Sequence, residues 1–117
     1  MPQPAGKGAN AALWVLQILG AAAFLGAGGA KLAGVPQMIG VFQKVGVGQW
    51  FRYVTGILEI VGAVGLLVPR YTFYAACLLA TVMAGAIVAH LTVLGEPPTA
   101  PVVLLLIMGT IAYMRRP

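Results

Sequence analysis

Four long apolar runs, each almost free of charged side chains, occupy nearly the whole of this sequence. They extend over about residues 11–30, 50–68, 71–94 and 100–114. The hydrocarbon core of a bilayer is about 30 Å thick and needs about 20 apolar residues for each spanning helix. We therefore predict an all-α fold, an integral membrane four-helix bundle, in which residues 1–117 form a single transmembrane domain.

The composition excludes most other classes of protein. Charged residues make up only 8% of the chain, whereas a soluble domain carries about 25%. The 61% of hydrophobic residues excludes intrinsic disorder, and the single cysteine, Cys77, excludes a disulfide scaffold. The net charge of +5 does not indicate a nucleic acid partner, because the basic residues are scattered between apolar runs instead of lining one face.

The distribution of basic residues predicts the orientation. Four spans place both termini on the same side of the membrane. With the termini inside, four basic residues lie in the cytoplasm and three on the other side: Lys7, Arg70, Arg115 and Arg116 against Lys31, Lys44 and Arg52. The positive-inside rule therefore favours cytoplasmic termini. The first run is too long for the apolar region of a signal peptide, so we expect a retained helix.

A short segment between the first two runs has the pattern of an amphipathic helix. Its apolar residues recur at i, i+3, i+4 and i+7: Val35, Met38, Ile39, Phe42 and Val45. This spacing is typical of a short helix that lies in the membrane interface. We predict such a helix over residues 35–45, where it covers the outer mouth of the bundle; an ordered loop is the alternative.

Glu59 is the most informative residue of the chain, since it interrupts the second apolar run. A carboxylate near the bilayer centre costs about 2.5–3.5 kcal/mol and usually faces the bundle interior with a partner. Arg52 lies on the same helical face as Glu59, and the side chains of Lys31 and His90 can reach Glu59 in the outer half of the bundle. The sequence thus predicts a cluster of Lys31, Arg52, Glu59 and His90.

Two interpretations of this cluster remain open. In the structural one, Glu59 pairs with Lys31 or Arg52, and His90 bonds a backbone carbonyl. In the functional one, the cluster lines a polar pocket that binds the head of a quinone or lipid, or relays a proton through His90. That pocket would lie beneath residues 35–45, with Phe42 and Trp50 at its rim.

No catalytic residue and no metal site is predicted. A metal ion needs three or four ligands, and one histidine, one intramembrane Glu and one distant cysteine are too few. We therefore expect no cofactor other than a quinone or lipid ligand. A third interpretation of the cluster of Lys31, Arg52, Glu59 and His90 is that it docks a protein partner.

Several short motifs resemble those of the DoxX-like family of small four-helix membrane proteins. The turn after the first run, residues 28–34, reads GGAKLAG, and the core of the second run, residues 56–62, reads GILEIVG. The LLVP of residues 66–69 and the AHL of residues 89–91 also match the family pattern. The resemblance covers about residues 10–116, with Lys31, Glu59 and His90 in order.

The resemblance implies a prokaryotic inner-membrane protein that serves as an accessory or anchor subunit of a membrane redox system. Some relatives are named for subunits of thiosulfate:quinone oxidoreductase, and others are described as membrane partners of redox enzymes. The chain has no cysteine pair, haem-ligand pair or flavin motif. We therefore expect a redox-enzyme partner or a homo-oligomer, and no catalysis by the chain alone.

Two other classes of function are open. A small-molecule transporter is one, because four-helix exporters of similar length exist with an essential membrane Glu. In those exporters the Glu lies in the first span, whereas here the first run is uncharged. A membrane assembly factor without catalysis, as implied by distant eukaryotic relatives, is the other.

Overall fold

The computed structural model describes residues 6–117, which fold into five α-helices without a strand. The fourth helix continues directly into one π-helical turn, His90–Leu94. The helices are α1 Lys7–Ala33, α2 Pro36–Val45, α3 Trp50–Leu66, α4 Thr72–Ala89 and α5 Thr99–Arg115. The all-α prediction is confirmed, and the short segment predicted over residues 35–45 is the helix α2.

Two of these helices are long and apolar enough to cross a membrane by length and composition. They are Lys7–Ala33 and the continuous helical stretch Thr72–Leu94, while α5 is apolar but shorter. Both α3 and α5 have 17 residues, which corresponds to about 25 Å at 1.5 Å per residue. Four spans therefore remain a prediction for the bundle as a whole.

The break between α1 and α2 follows from two residues with special backbone properties. Gly34 ends α1 in the left-handed region, with φ at 70°, a conformation that a glycine adopts without the steric penalty of a Cβ. Pro36 then occupies the first turn of α2, where its missing N–H leaves no hydrogen bond unmade. The chain therefore turns sharply and lays α2 across one end of the bundle, here called the α2 end.

The bundle packs in chain order, α1 on α3, α3 on α4 and α4 on α5. Small residues determine how closely neighbouring helices approach each other. A Cβ added to Gly62 of α3, for example, would lie 2.6 Å from Leu79 of α4. Large apolar side chains such as Leu91 and Leu106, each 65% exposed, cover the outside of the bundle. Such a surface is unusual for a soluble monomer and is suited to lipid.

Thiol labelling can test the prediction that the start of α1 and the helix α2 lie on opposite sides of the membrane. Lys7 opens α1 and Gln43 lies in α2, and both are exposed. A helix of 27 residues, about 40 Å long, separates them. In a Cys77→Ala background, an impermeant thiol reagent should label Gln43→Cys in intact cells and Lys7→Cys only after permeabilisation. Labelling of both positions from one side would contradict the predicted topology.

Candidate functional site

Glu59 is buried inside the bundle and forms an ion pair with Lys31. Its exposed fraction is 1%, and its Oε1 lies 2.8 Å from the Nζ of Lys31. Of the three partners predicted for Glu59, the structure places Lys31 next to it. A carboxylate has about four acceptor sites, and one ammonium does not fill them, so Glu59 retains capacity for a ligand donor.

Two glycines bring the helices of this ion pair together. Gly28 precedes Lys31 by three residues, and Gly56 precedes Glu59 by the same spacing. A Cβ on Gly28 would lie 2.8 Å from the backbone oxygen of Gly56 and 3.3 Å from the Cβ of Glu59. A Cβ on Gly56 would in turn lie 3.1 Å from the Cβ of Lys31. Each charged side chain thus packs against the glycine of the opposite helix.

Arg52 is buried, but it serves the end of α1 and does not pair with Glu59. Its Nε donates to Oε1 of Gln49 at 2.8 Å, and its Nη1 donates to the backbone oxygen of Lys31. The guanidinium also lies 4.4 Å from the ring centroid of Tyr53. A cation at a helix C-terminus satisfies orphan carbonyls and complements the helix dipole. Arg52 therefore fixes the backbone that carries Lys31.

His90 begins the π-helical turn that follows α4. Its Nδ1 lies 2.8 Å from the backbone oxygen of Ala86, which is the contact that the structural interpretation expects. Because a carbonyl oxygen only accepts, Nδ1 carries the hydrogen, and Nε2 of the neutral ring keeps a lone pair. π-Helical turns are frequent at functional sites.

A cavity of about 590 Å³ lies at the α2 end, and Arg52 is not among its lining residues. Its walls are mainly apolar and come from α2, α3, α4 and the π-helical turn. Lys31, Glu59 and His90 all contribute to the lining, although His90 does not bond Glu59. Representative apolar lining residues are Met38, Phe42, Leu58 and Met83. A largely apolar cavity of about 300–1,000 Å³ with a few polar groups is typical of a site for a small organic ligand.

The rim of the cavity differs from the prediction at Trp50. Phe42 lines the cavity as expected, whereas Trp50 is 59% exposed and lies outside the lining. The Nε1 of Trp50 donates to the backbone oxygen of Val47 at 3.0 Å, so the indole folds back over the preceding turn. Gly48, at φ 120°, leaves the space that this indole occupies. Phe51 lines the cavity from α3 instead.

A second polar cluster, which the charge-based search of the sequence missed, lies at the other end of the bundle. Gln17 of α1 is 1% exposed, and its Nε2 donates to the backbone oxygen of Leu66 at 2.8 Å. Thr72 donates to the same oxygen, and Arg115 donates from Nε to Oε1 of Gln17 at 2.9 Å. The available sequence signal was Gln17 itself, a polar residue in the middle of an apolar run.

The chemistry of the main site suits an organic ligand. Within residues 6–117, no three His, Cys, Asp or Glu side chains are close enough together to hold a metal ion. The polar groups that line the cavity instead include an ammonium, a carboxylate and an imidazole. Together they can donate to a carbonyl, accept from a hydroxyl and exchange a proton.

Comparison with known proteins adds one match. The model of the DoxX-like family matches residues 15–112, a stretch that includes Gln17, Lys31, Glu59 and His90. No curated protein matches the chain. No solved structure matches it either.

Proposed function

The chain belongs to the DoxX-like family, and from this premise we propose a function for it. It is a non-catalytic accessory or anchor subunit of a membrane redox system, and its cavity at the α2 end binds a quinone or lipid. The redox role rests on the family resemblance of the motifs around Lys31, Glu59 and His90. The ligand role rests on the cavity.

The observation that carries the ligand proposal is a buried ion pair in the wall of a large apolar cavity. Lys31 keeps 15% of its side chain exposed while Glu59 keeps 2%, so the pair is shielded but reachable from the cavity. A quinone or lipid has a polar head for the Lys31–Glu59 pair and an apolar tail for the rest of the lining. A purely structural ion pair would need no cavity beside it.

The membrane placement of the proposal has three supports. They are the family, the two helices that are long and apolar enough to span a bilayer, and the exposed apolar surface. We propose four spans, α1, α3, α4 with its π-helical turn, and α5, in a prokaryotic inner membrane with both termini cytoplasmic. The helix α2 then lies in the outer interface.

Glu59→Gln tests the ligand role, because it preserves the shape of the side chain and removes its charge. We expect the amount of co-purifying quinol or hydroxyl-bearing lipid to fall about tenfold, because the ligand hydroxyl donates to the Glu59 carboxylate and a hydrogen bond to a charged group contributes about 1.5–3 kcal/mol. Mass spectrometry of the protein purified in mild detergent measures this amount. The matched control is Glu96→Gln, which removes an exposed carboxylate from the edge of the same cavity.

Two further readouts separate the proposal from its alternatives. Co-purification of a redox enzyme with the wild type supports the accessory role, whereas proton-coupled uptake into vesicles would favour a transporter. An identical ligand profile for wild type and Glu59→Gln, with unaltered activity of the associated enzyme, would leave Lys31 and Glu59 as a structural ion pair.

A further inference from the structure

A second, smaller cavity lies where α1 begins, α3 turns into α4, and α5 ends; this end is here called the terminal end. Its volume is about 190 Å³. It shares no lining residue with the larger cavity. Its lining consists of Asn10, Trp14, Gln17, Pro69, Thr72 and Arg115.

Arg115 is held in this cavity by its Nε, while its Nη2 remains unpaired within the part of the chain that the structure describes. Its Nε donates to the buried amide of Gln17, which is itself fixed by the backbone oxygen of Leu66. The Nη2 of Arg115 is buried and has no hydrogen-bond partner among residues 6–117. A buried donor of a cationic group that lacks a partner is destabilising. The N–H groups of Nη2 are therefore available to an acceptor that the described residues do not supply.

The chain has no acidic side chain that could neutralise this guanidinium. Its only acidic residues are two glutamates. Glu59 is paired with Lys31, and Glu96 lies at the edge of the larger cavity. The terminal end instead adds further positive charge, since Lys7 lies on the same face of α1 as Asn10 and Trp14, at i, i+3 and i+7. Neither glutamate side chain therefore serves as the counter-ion of Arg115.

We propose that the terminal cavity binds the phosphate group of an anionic phospholipid. A guanidinium presents two parallel N–H donors that match two phosphate oxygens. Trp14 supplies an aromatic wall of the kind found at the level of lipid head groups, and anionic lipids of the cytoplasmic leaflet attract basic residues near the membrane. The inference relies on the membrane placement proposed above and is independent of the ligand of the larger cavity.

Lipid titration followed by native mass spectrometry tests this proposal. The detergent-purified full chain is titrated separately with phosphatidylglycerol, phosphatidylcholine and inorganic phosphate. We expect the wild type to retain phosphatidylglycerol in preference to phosphatidylcholine, and Arg115→Gln to bind it about tenfold more weakly. Arg116→Gln removes the same charge from the next, exposed residue, so we expect its affinity to change by less than about twofold.

A second variant shows whether weaker lipid binding by Arg115→Gln results from misfolding. Arg115→Lys keeps the charge and loses the planar fork, so it should bind more weakly than wild type and more tightly than Arg115→Gln. Equal retention of phosphatidylglycerol by wild type, Arg115→Gln and Arg115→Lys would overturn the proposal and leave Arg115 as a structural contact of Gln17. Binding of inorganic phosphate that depends on Arg115, without binding of the lipid, would overturn the assignment to a phospholipid. The quinone content of Glu59→Gln tests the larger cavity alone, so it neither supports nor contradicts the assignment of phospholipid to the terminal cavity.

Discussion

Lys31→Ala is expected to lower the free energy of unfolding by about 3–5 kcal/mol, because it leaves the carboxylate of Glu59 buried without its counter-ion. Glu59 is 1% exposed and lies 2.8 Å from the Lys31 ammonium. Lys7→Ala removes the same kind of side chain from an exposed position at the start of α1. It should change the free energy of unfolding by no more than about 0.5 kcal/mol. Unfolding in a fixed detergent, followed by circular dichroism, measures both variants.

The double variant Lys31→Ala/Glu59→Gln separates lost charge pairing from lost packing. A neutral amide needs no counter-ion, so the double variant should be more stable than Lys31→Ala alone. If Lys31→Ala and Lys7→Ala unfold at the same temperature, or if the two changes at Lys31 and Glu59 are simply additive, the ion pair does not stabilise the bundle.

Gly28→Ala is expected to destabilise the bundle by about 1–3 kcal/mol, the usual result of overpacking. The added Cβ would lie 2.8 Å from the backbone oxygen of Gly56 and 2.8 Å from Cγ1 of Ile60. A backbone atom cannot rotate away, so α1 and α3 must separate. Because this separation also pulls Lys31 away from Glu59, the effects of Gly28→Ala and Lys31→Ala should be less than additive.

Gly29→Ala is the matched control, one residue further along the same helix. A Cβ there meets nothing within 4 Å, and alanine favours a helix over glycine by up to about 1 kcal/mol. Gly29→Ala should therefore leave stability unchanged or raise it, opposite in sign to Gly28→Ala. Equal effects at Gly28 and Gly29 would show that the close contact of α1 with α3 does not depend on Gly28.

The helices and the burial of Glu59 could be predicted because each depends on local properties of the sequence. Apolar runs of sufficient length form helices, and a carboxylate inside such a run is stable only with a partner. The choice among Lys31, Arg52 and His90 could not be predicted. It depends on the distance between α1 and α3, which Gly28 and Gly56 set, and on the free carbonyls of α1, which engage Arg52.

The polar cluster at the terminal end could not be predicted from the sequence, because its members lie on different helices. Gln17 and Arg115 are 98 residues apart in the chain, and no periodicity links positions on different helices. Gln17 also carries no charge, so a search for buried charges passes over it. Trp50 escaped prediction for a local reason, because the glycine at position 48 lets the indole turn back over the loop.

The central claim is that the cavity beside Lys31 and Glu59 takes a ligand with a polar head and an apolar tail. Its most direct test is photolabelling of the purified protein in lipid nanodiscs with a quinone that carries a photoreactive group on its tail. We predict that label concentrates on lining residues such as Met38 and Met83 and that unmodified quinone or lipid competes for it. Label spread over outward-facing residues such as Val15 and Leu106, unaffected by competitor, would contradict the claim.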